Sequence, residues 1–126
     1  MTVIEIPRDK VLVDEDSVGE YVDMLNGIVR WCWNGGWTHG YRNTVAVDLT
    51  VGCVMLGLDP LEVLDRLVYA DVIRSGEDDE DTATRIKRVM GYQALFDWEW
   101  MIDPEMFVEE ACENGMDDMP IKFRLV

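Results

Sequence analysis

Between residues 24 and 58 the only charged side chains are Arg30, Arg42 and Asp48, although 29% of the residues in the whole chain are charged. A stretch this poor in charge must lie largely inside the fold, because removal of apolar surface from water drives folding. The chain has 126 residues, enough to bury such a core without metal ions or disulfides. We therefore predict one domain over residues 1–126.

Apolar periodicity and capping residues predict about five helices. The first begins at a capping box formed by Ser17 and Glu20, and its apolar stripe runs to Cys32. Residues 44–58 fit both a strand alternation and a helix stripe. Gly57, at a position typical of a helix C-terminus, favours a helix that is buried at the centre of the fold.

Proline residues and acidic or glycine neighbours mark the boundaries of the remaining helices. Asp59 and Pro60 start the third helix, which we expect to reach about residue 74. The fourth resumes at Thr82 after an exposed acidic loop over residues 77–81, and it turns Leu95 inward with other apolar residues. The fifth begins at the Asp103-Pro104 pair and continues to residue 113.

Strand signals occur only at the two ends of the chain. Residues 2–6 and 11–13 are rich in β-branched side chains and flank a turn-like segment, which predicts an N-terminal hairpin. Residues 121–125 alternate between apolar and basic side chains and predict a final strand. The predicted fold class is α+β: mainly helical, with a small antiparallel sheet formed by the hairpin and the C-terminal strand.

The charge balance excludes several functions. The chain has 26 acidic and 11 basic residues, which give a net charge of −15. A protein that binds nucleic acid directly needs Lys and Arg to displace counterions, and binding to an anionic membrane needs them as well. The N-terminus lacks a secretory signal pattern, and the three cysteines are widely spaced, so we expect reduced thiols and a cytoplasmic protein.

Acidic residues are concentrated in blocks. Residues 14–23, 75–81 and 97–118 carry net charges of −5, −5 and −9. Blocks of this kind attract a groove lined by Lys and Arg and steer its approach. The predicted partner-binding residues are the acids of the second and third blocks: Glu77, Asp78, Asp79, Glu80, Asp81, Asp97, Glu99, Glu105, Glu109, Glu110, Glu113, Asp117 and Asp118.

In size and composition, though not in any motif, the chain resembles the small acidic anti-defence proteins of phages, which include DNA-mimicking anti-restriction and anti-CRISPR proteins. The resemblance implies an inhibitor without enzymatic activity. It would mimic nucleic acid, occupy the basic groove of a nucleic-acid-processing complex and need no cofactor. General solubility or adaptation to high salt is another explanation of the acidity, since Lys is rarer than Arg in this chain.

Two further hypotheses arise from the segment between residues 31 and 41. Its aromatic residues are typical of interface hot spots, which makes the chain an adaptor in the first alternative; they are Trp31, Trp33, Trp37 and Tyr41. In the second alternative, Cys32 and His39 supply the nucleophile and base of a small thiol enzyme.

Asp48 lies in an apolar segment, so we expect it to be buried and paired with Arg42 or Arg30. No residue spacing predicts a metal site.

Overall fold

The computed structural model describes residues 1–39, 41–74 and 77–126, and for residues 38, 39 and 77–80 it describes the backbone alone. This part of the chain forms five α-helices and two strands: β1 (Thr2–Ile6), α1 (Glu15–Trp33), α2 (Arg42–Met55), α3 (Pro60–Tyr69), α4 (Glu77–Met90), α5 (Pro104–Asn114) and β2 (Ile121–Leu125). Short 3₁₀ helices occupy Arg8–Lys10, Gly36–His39, Gln93–Leu95 and Trp98–Trp100. None of the helices described is long and apolar enough to cross a membrane.

The predicted mainly helical fold with a small sheet is confirmed, but the predicted strand direction is wrong. β1 and β2 are parallel, with Thr2 opposite Ile121 and Ile6 opposite Leu125. The N-terminal hairpin is also wrong, because residues 11–13 form no strand. The Leu12 N–H donates to the Met55 carbonyl at 2.8 Å, so this segment is held by the end of α2.

The central helix and the C-terminal elements lie where their signals predicted them. Residues 44–55 belong to α2, whose buried residues include Val45, Leu49 and Cys53. Pro104 begins α5, and Gly115 follows its last residue with a positive φ of 67°. A positive φ is sterically unfavourable for a residue that has a Cβ. Glycine therefore ends the helix here at a low cost in free energy.

Several predicted boundaries are wrong because acidic residues extend helices at their N-terminal ends. α1 begins at Glu15, with Asp14 rather than Ser17 as the residue before the helix. Likewise, residues 77–81 are not a loop but the start of α4. Carboxylates near a helix N-terminus interact favourably with the helix dipole, and this effect is invisible to a search for apolar stripes alone.

Helices α3 and α4 end earlier than predicted. α3 ends at Tyr69, after which Asp71 adopts a positive φ of 58° and the N–H groups of Val72 and Ile73 both donate to Leu67. This turn buries both apolar residues, which a continued helix would have placed differently. α4 ends at Met90, and Leu95 is exposed rather than inward.

Helices α1 and α5 approach each other closely at Gly27. The Gly27 Cα faces the Phe107 backbone, and a Cβ added at Gly27 would overlap the Phe107 carbonyl oxygen. Phe107 is fully buried, and its ring packs edge-to-face on Trp31 with the centroids 5.7 Å apart. Gly27 therefore sets the distance between the two helices.

We predict that Gly27→Ala lowers the free energy of unfolding by about 3 kcal/mol, because the added methyl group forces α5 away from α1. Gly19→Ala in the same helix is the matched control, since nothing lies within 4 Å of its added Cβ. The control should stabilise the protein by about 0.5–1 kcal/mol through helix propensity. Urea unfolding followed by circular dichroism measures both changes, and equal effects would contradict the close contact.

Candidate acidic interface

The long carboxylates of α5 lie along one side of that helix. Glu105, Glu109 and Glu113 follow each other at intervals of four residues and are all exposed. Successive members are therefore about 6 Å apart along the helix axis. Asp97 and Glu99, in the segment before α5, are exposed as well. These predicted residues are available to a partner.

A carboxylate from α1 lies beside those of α5. Glu20 lines a surface depression together with Glu105 and Glu109, and Trp98 and Val108 complete its wall. A second depression, which contains Asp14 and Tyr21, shares Glu20 and Trp98 with the first. We call Asp14, Glu20, Asp97, Glu105 and Glu109, arranged around Trp98, the acidic face.

Basic side chains do not neutralise the acidic face. Neither depression is lined by Lys or Arg. The ion pairs within the described ranges join Arg8 to Glu15, Arg30 to Asp118 and Arg124 to Glu5, and none of these acids belongs to the acidic face. Its carboxylates therefore generate a negative field that extends toward solvent.

The acidic face also alters the titration of its neighbours. Burial raises the pKa of Tyr21 above its ordinary value of 10.0, and the nearby charges of Asp97 and Glu20 raise it further. Burial raises the pKa of the Asp23 carboxyl as well, with Glu20 as the second cause. In both cases burial is the main cause, and the nearby Glu20 carboxylate contributes in the same direction.

Trp98 lies at the centre of the acidic face. Its ring is half-buried and meets the Tyr21 ring edge-to-face, with the centroids 5.3 Å apart and the planes at 77°. Trp98 and Glu20 were not among the site residues predicted from the sequence. The net charge of −5 over residues 14–23 was a signal for Glu20, whereas Trp98 carried no signal beyond its position in the most acidic block.

At the C-terminal end of α5, the buried Arg30 guanidinium holds the chain in place. Nη2 donates to the Asn114 and Gly115 carbonyl oxygens at 2.9 and 2.8 Å, and to the Asp118 carboxylate at 2.6 Å. A cation here satisfies carbonyl groups that the helix leaves without partners. The hydrogen bond from Arg30 lowers the pKa of Asp118. Asp118 is thus engaged within the chain.

Asp48 holds the other end of α5. Its carboxylate is fully buried and accepts hydrogen bonds from the backbone N–H groups of Ile102 and Asp103 at 2.8 and 3.0 Å. The predicted burial is confirmed, but the predicted arginine partners are wrong. Backbone donors replaced them because the segment before α5 has N–H groups that its own helix does not use. Burial raises the pKa of Asp48 to about 6, and the two hydrogen bonds only partly oppose it.

The predicted residues outside the acidic face are dispersed. Glu110 is half-buried and accepts a hydrogen bond from the Asn34 side chain at 3.1 Å, whereas Glu113 and Asp117 are exposed. In the run of residues 77–81, Asp81 is exposed and the side chains of 77–80 lie outside the described part of the chain. Their helix, α4, packs against α2 and α3, whereas α5 packs against α1.

The aromatic segment between residues 31 and 41 is used largely for packing. Trp37 is 2% exposed, and Trp31 packs edge-to-face on the rings of Phe107 and Tyr41. Only Trp33 and Tyr41 are exposed to solvent. This arrangement leaves two of the four predicted aromatic residues accessible to a partner.

A thiolate at Cys32 is strongly disfavoured. Cys32 is buried, and burial raises the pKa of its thiol to about 12. Burial raises the pKa of Cys53 as well, whereas Cys112 is exposed on α5. The His39 side chain lies outside the described residues. The side chains described contain no group of three or more potential metal ligands.

Comparison with protein-family models, with curated proteins and with solved structures finds no significant match for this chain. The function of the chain is therefore inferred from the acidic face alone.

We predict that the backbone amide signals of Ile102 and Asp103 titrate with a midpoint near pH 6, the pKa of Asp48. The folded pKa lies above the ordinary value of 3.8, so the folded state binds this proton more tightly than the unfolded chain does. The resulting stabilisation is present below about pH 4 and is lost as the pH rises through 6. NMR spectra and urea unfolding between about pH 4 and 8 measure both effects.

Asp48→Asn is the control for this titration. The amide keeps the shape of the side chain but removes the ionisable group, so the two amide signals should no longer move near pH 6. Asn cannot accept from both N–H groups, which lowers stability at every pH. The pH dependence of the difference between the two proteins therefore separates the titration of Asp48 from the general relief of repulsion among acids at low pH. Unchanged titration in the variant would show that another group is responsible.

We also predict that iodoacetamide modifies only Cys112 in the folded protein near neutral pH, because the other two thiols are buried. In urea all three cysteines should react, which serves as the positive control. Peptide mass spectrometry identifies the modified residues. Rapid modification of Cys32 in the folded state would contradict its burial and would favour the thiol-enzyme alternative.

Proposed function

We propose that the chain is a nucleic-acid mimic whose acidic face occupies a basic, nucleic-acid-binding groove of another protein. This proposal is supported by the depression lined by Glu20, Glu105 and Glu109. Two helices contribute these carboxylates, and no basic side chain lines the depression. Such a surface attracts Lys and Arg over long range and orients the encounter.

The density of charge supports competition with nucleic acid. Carboxylates on α5 follow each other about every 6 Å, compared with about 3.4 Å for the phosphates of one DNA strand. Helices in contact are about 8–10 Å apart, and Glu20 of α1 lies beside the α5 carboxylates in the same depression. Glu20 therefore adds to the charge density of the α5 row.

Trp98 adds an apolar contact that phosphates lack. Aromatic side chains at the centre of an interface are desolvated on binding and contribute strongly to affinity. A Lys or Arg of the partner can also lie over the indole face, where a cation is attracted by the ring. The carboxylates of the acidic face would then provide fast association, while Trp98 would slow dissociation.

The concrete form that we favour is an inhibitor of a nucleic-acid-processing complex, of the anti-restriction or anti-CRISPR type and phage-encoded. A protein that covers a nucleic-acid groove blocks its function without any chemical step and without a cofactor. The size and composition of the chain support this form, and the target is defined by its chemistry as a groove rich in Lys and Arg.

We predict that the purified protein releases bacterial proteins from a duplex-DNA resin at constant salt and that Glu20→Lys/Glu109→Lys weakens this release at least about tenfold. Each reversal places like charges opposite the partner's basic groove, which is strongly unfavourable. After mass spectrometry identifies a released protein, competition with fluorescent duplex measures its affinity for wild type and variant at several salt concentrations.

The matched control is Asp9→Lys/Asp71→Lys, which reverses two exposed acids outside the acidic face and gives the same net charge. It should retain the release activity of the wild type. Equal loss in both variants would show that total charge, rather than the acidic face, is responsible and would contradict the proposal. Circular dichroism establishes that both variants are folded.

A further inference from the structure

The two edges of the small sheet differ. The outer edge of β2 is occupied by Asn26 of α1, whose side-chain amide donates to the Phe123 carbonyl at 3.0 Å and accepts from the Phe123 N–H at 2.7 Å. Asn26 thereby takes the place of a neighbouring strand for β2. No comparable group covers the outer edge of β1 within the described residues.

The ladder shows which backbone groups of β1 are left unused. Thr2 donates to the Pro120 carbonyl at 2.9 Å, and Ile6 accepts from the Val126 N–H at 3.2 Å. In a parallel pair, alternate residues direct their backbone groups to the partner strand. The N–H and C=O groups of Val3 and Glu5 therefore point away from β2, and in the described part of the chain none has another hydrogen-bond partner.

A groove runs between β1 and α3 beside this edge. Two cavities that share Glu62 and Arg66 form it, with Ile4 and Glu5 at one end. Thr2, Tyr69 and Ile121 of β2 line the other end, so the groove reaches across the sheet there. Tyr69 is 93% exposed, an unusual position for an aromatic residue that no neighbouring element covers.

We propose that an extended segment of a partner protein, with basic side chains, adds to β1 as a third strand. Unpaired N–H and C=O groups at strand spacing recognise another extended backbone. The groove keeps an excess of acids: Glu5 pairs with Arg124, and Asp59, Glu62 and Asp65 line the groove against Lys10 and Arg66. A second copy of this chain is disfavoured because each copy carries a net charge of −15.

This strand-addition site is separate from the acidic face. It belongs to β1 and α3, whereas the acidic face belongs to α1, α5 and the segment around Trp98. The two surfaces can therefore be tested independently, and failure of one leaves the other standing.

The experiment is an NMR titration of the wild-type protein with an acetylated, amidated peptide of sequence Lys-Val-Lys-Val-Lys-Val. Strand addition should slow amide–water exchange at Val3 and Glu5 about tenfold at saturation, the factor that one net hydrogen bond provides. The amides of Thr2 and Ile6, which face β2, serve as internal references and should change little.

The control peptide has the same sequence and charge, but all of its backbone nitrogens are methylated, so a methyl group on each edge keeps its carbonyls out of hydrogen-bonding distance of β1. It should leave exchange at Val3 and Glu5 unchanged. Equal effects of the two peptides, or no protection by either, would overturn the proposal, because the contact would then be electrostatic only or absent. This comparison uses the wild-type chain, so it does not depend on a variant that folds.

Two variants locate the contact. Val3→Pro removes an outward donor and should abolish the protection at Glu5, whereas Glu20→Lys/Glu109→Lys should leave it intact. Loss of protection in the second variant would overturn the proposal by assigning the peptide to the acidic face. Retention of peptide binding there, together with loss of release from DNA resin, would establish that the two surfaces act separately.

Discussion

The close contact between α1 and α5 is the constraint on which the rest of the structure depends. Gly27 allows the helices to approach until a Cβ would overlap the Phe107 carbonyl, and Arg30 and Asp48 hold the two ends of α5 against the core. Only at this distance do Glu20 and the carboxylates of α5 line one depression. The acidic face is therefore a product of helix packing rather than of either helix alone.

The few basic residues explain why the acidic face stays uncompensated. Arg30 is buried and serves the end of α5, while Arg8 and Arg124 pair with acids elsewhere. A chain with 26 acids and 11 basic residues cannot neutralise every carboxylate. Repulsion among the remaining acids is tolerable because they are exposed to water, whose high dielectric constant reduces the repulsion between two charges about 6 Å apart to roughly 1 kcal/mol or less.

Two buried polar side chains, Asn26 and Asp48, form hydrogen bonds with backbone groups that no neighbouring strand or helix in the described ranges satisfies. Asn26 completes β2 as a neighbouring strand would, and Asp48 accepts the N–H groups that precede α5. Both of these side chains are satisfied by backbone groups, which avoids the cost of an unpaired polar group. In the described part of the chain β1 has no such neighbour, so the small sheet has one paired edge and one open edge there.

The sequence by itself determined those features that depend on near neighbours in the chain: the start of α5 at Pro104, its end before Gly115 and the burial of Asp48. For α2 it favoured a helix but also fitted a strand. Capping, punctuation and apolar periodicity act within a few residues, so they can be read locally. Only the tertiary structure decided the parallel pairing of β1 with β2, the backbone partners of Asp48, and the convergence of Glu20 with Glu105 and Glu109. These depend on contacts between residues far apart in the chain, because packing of the whole core sets their distances and no local pattern encodes them.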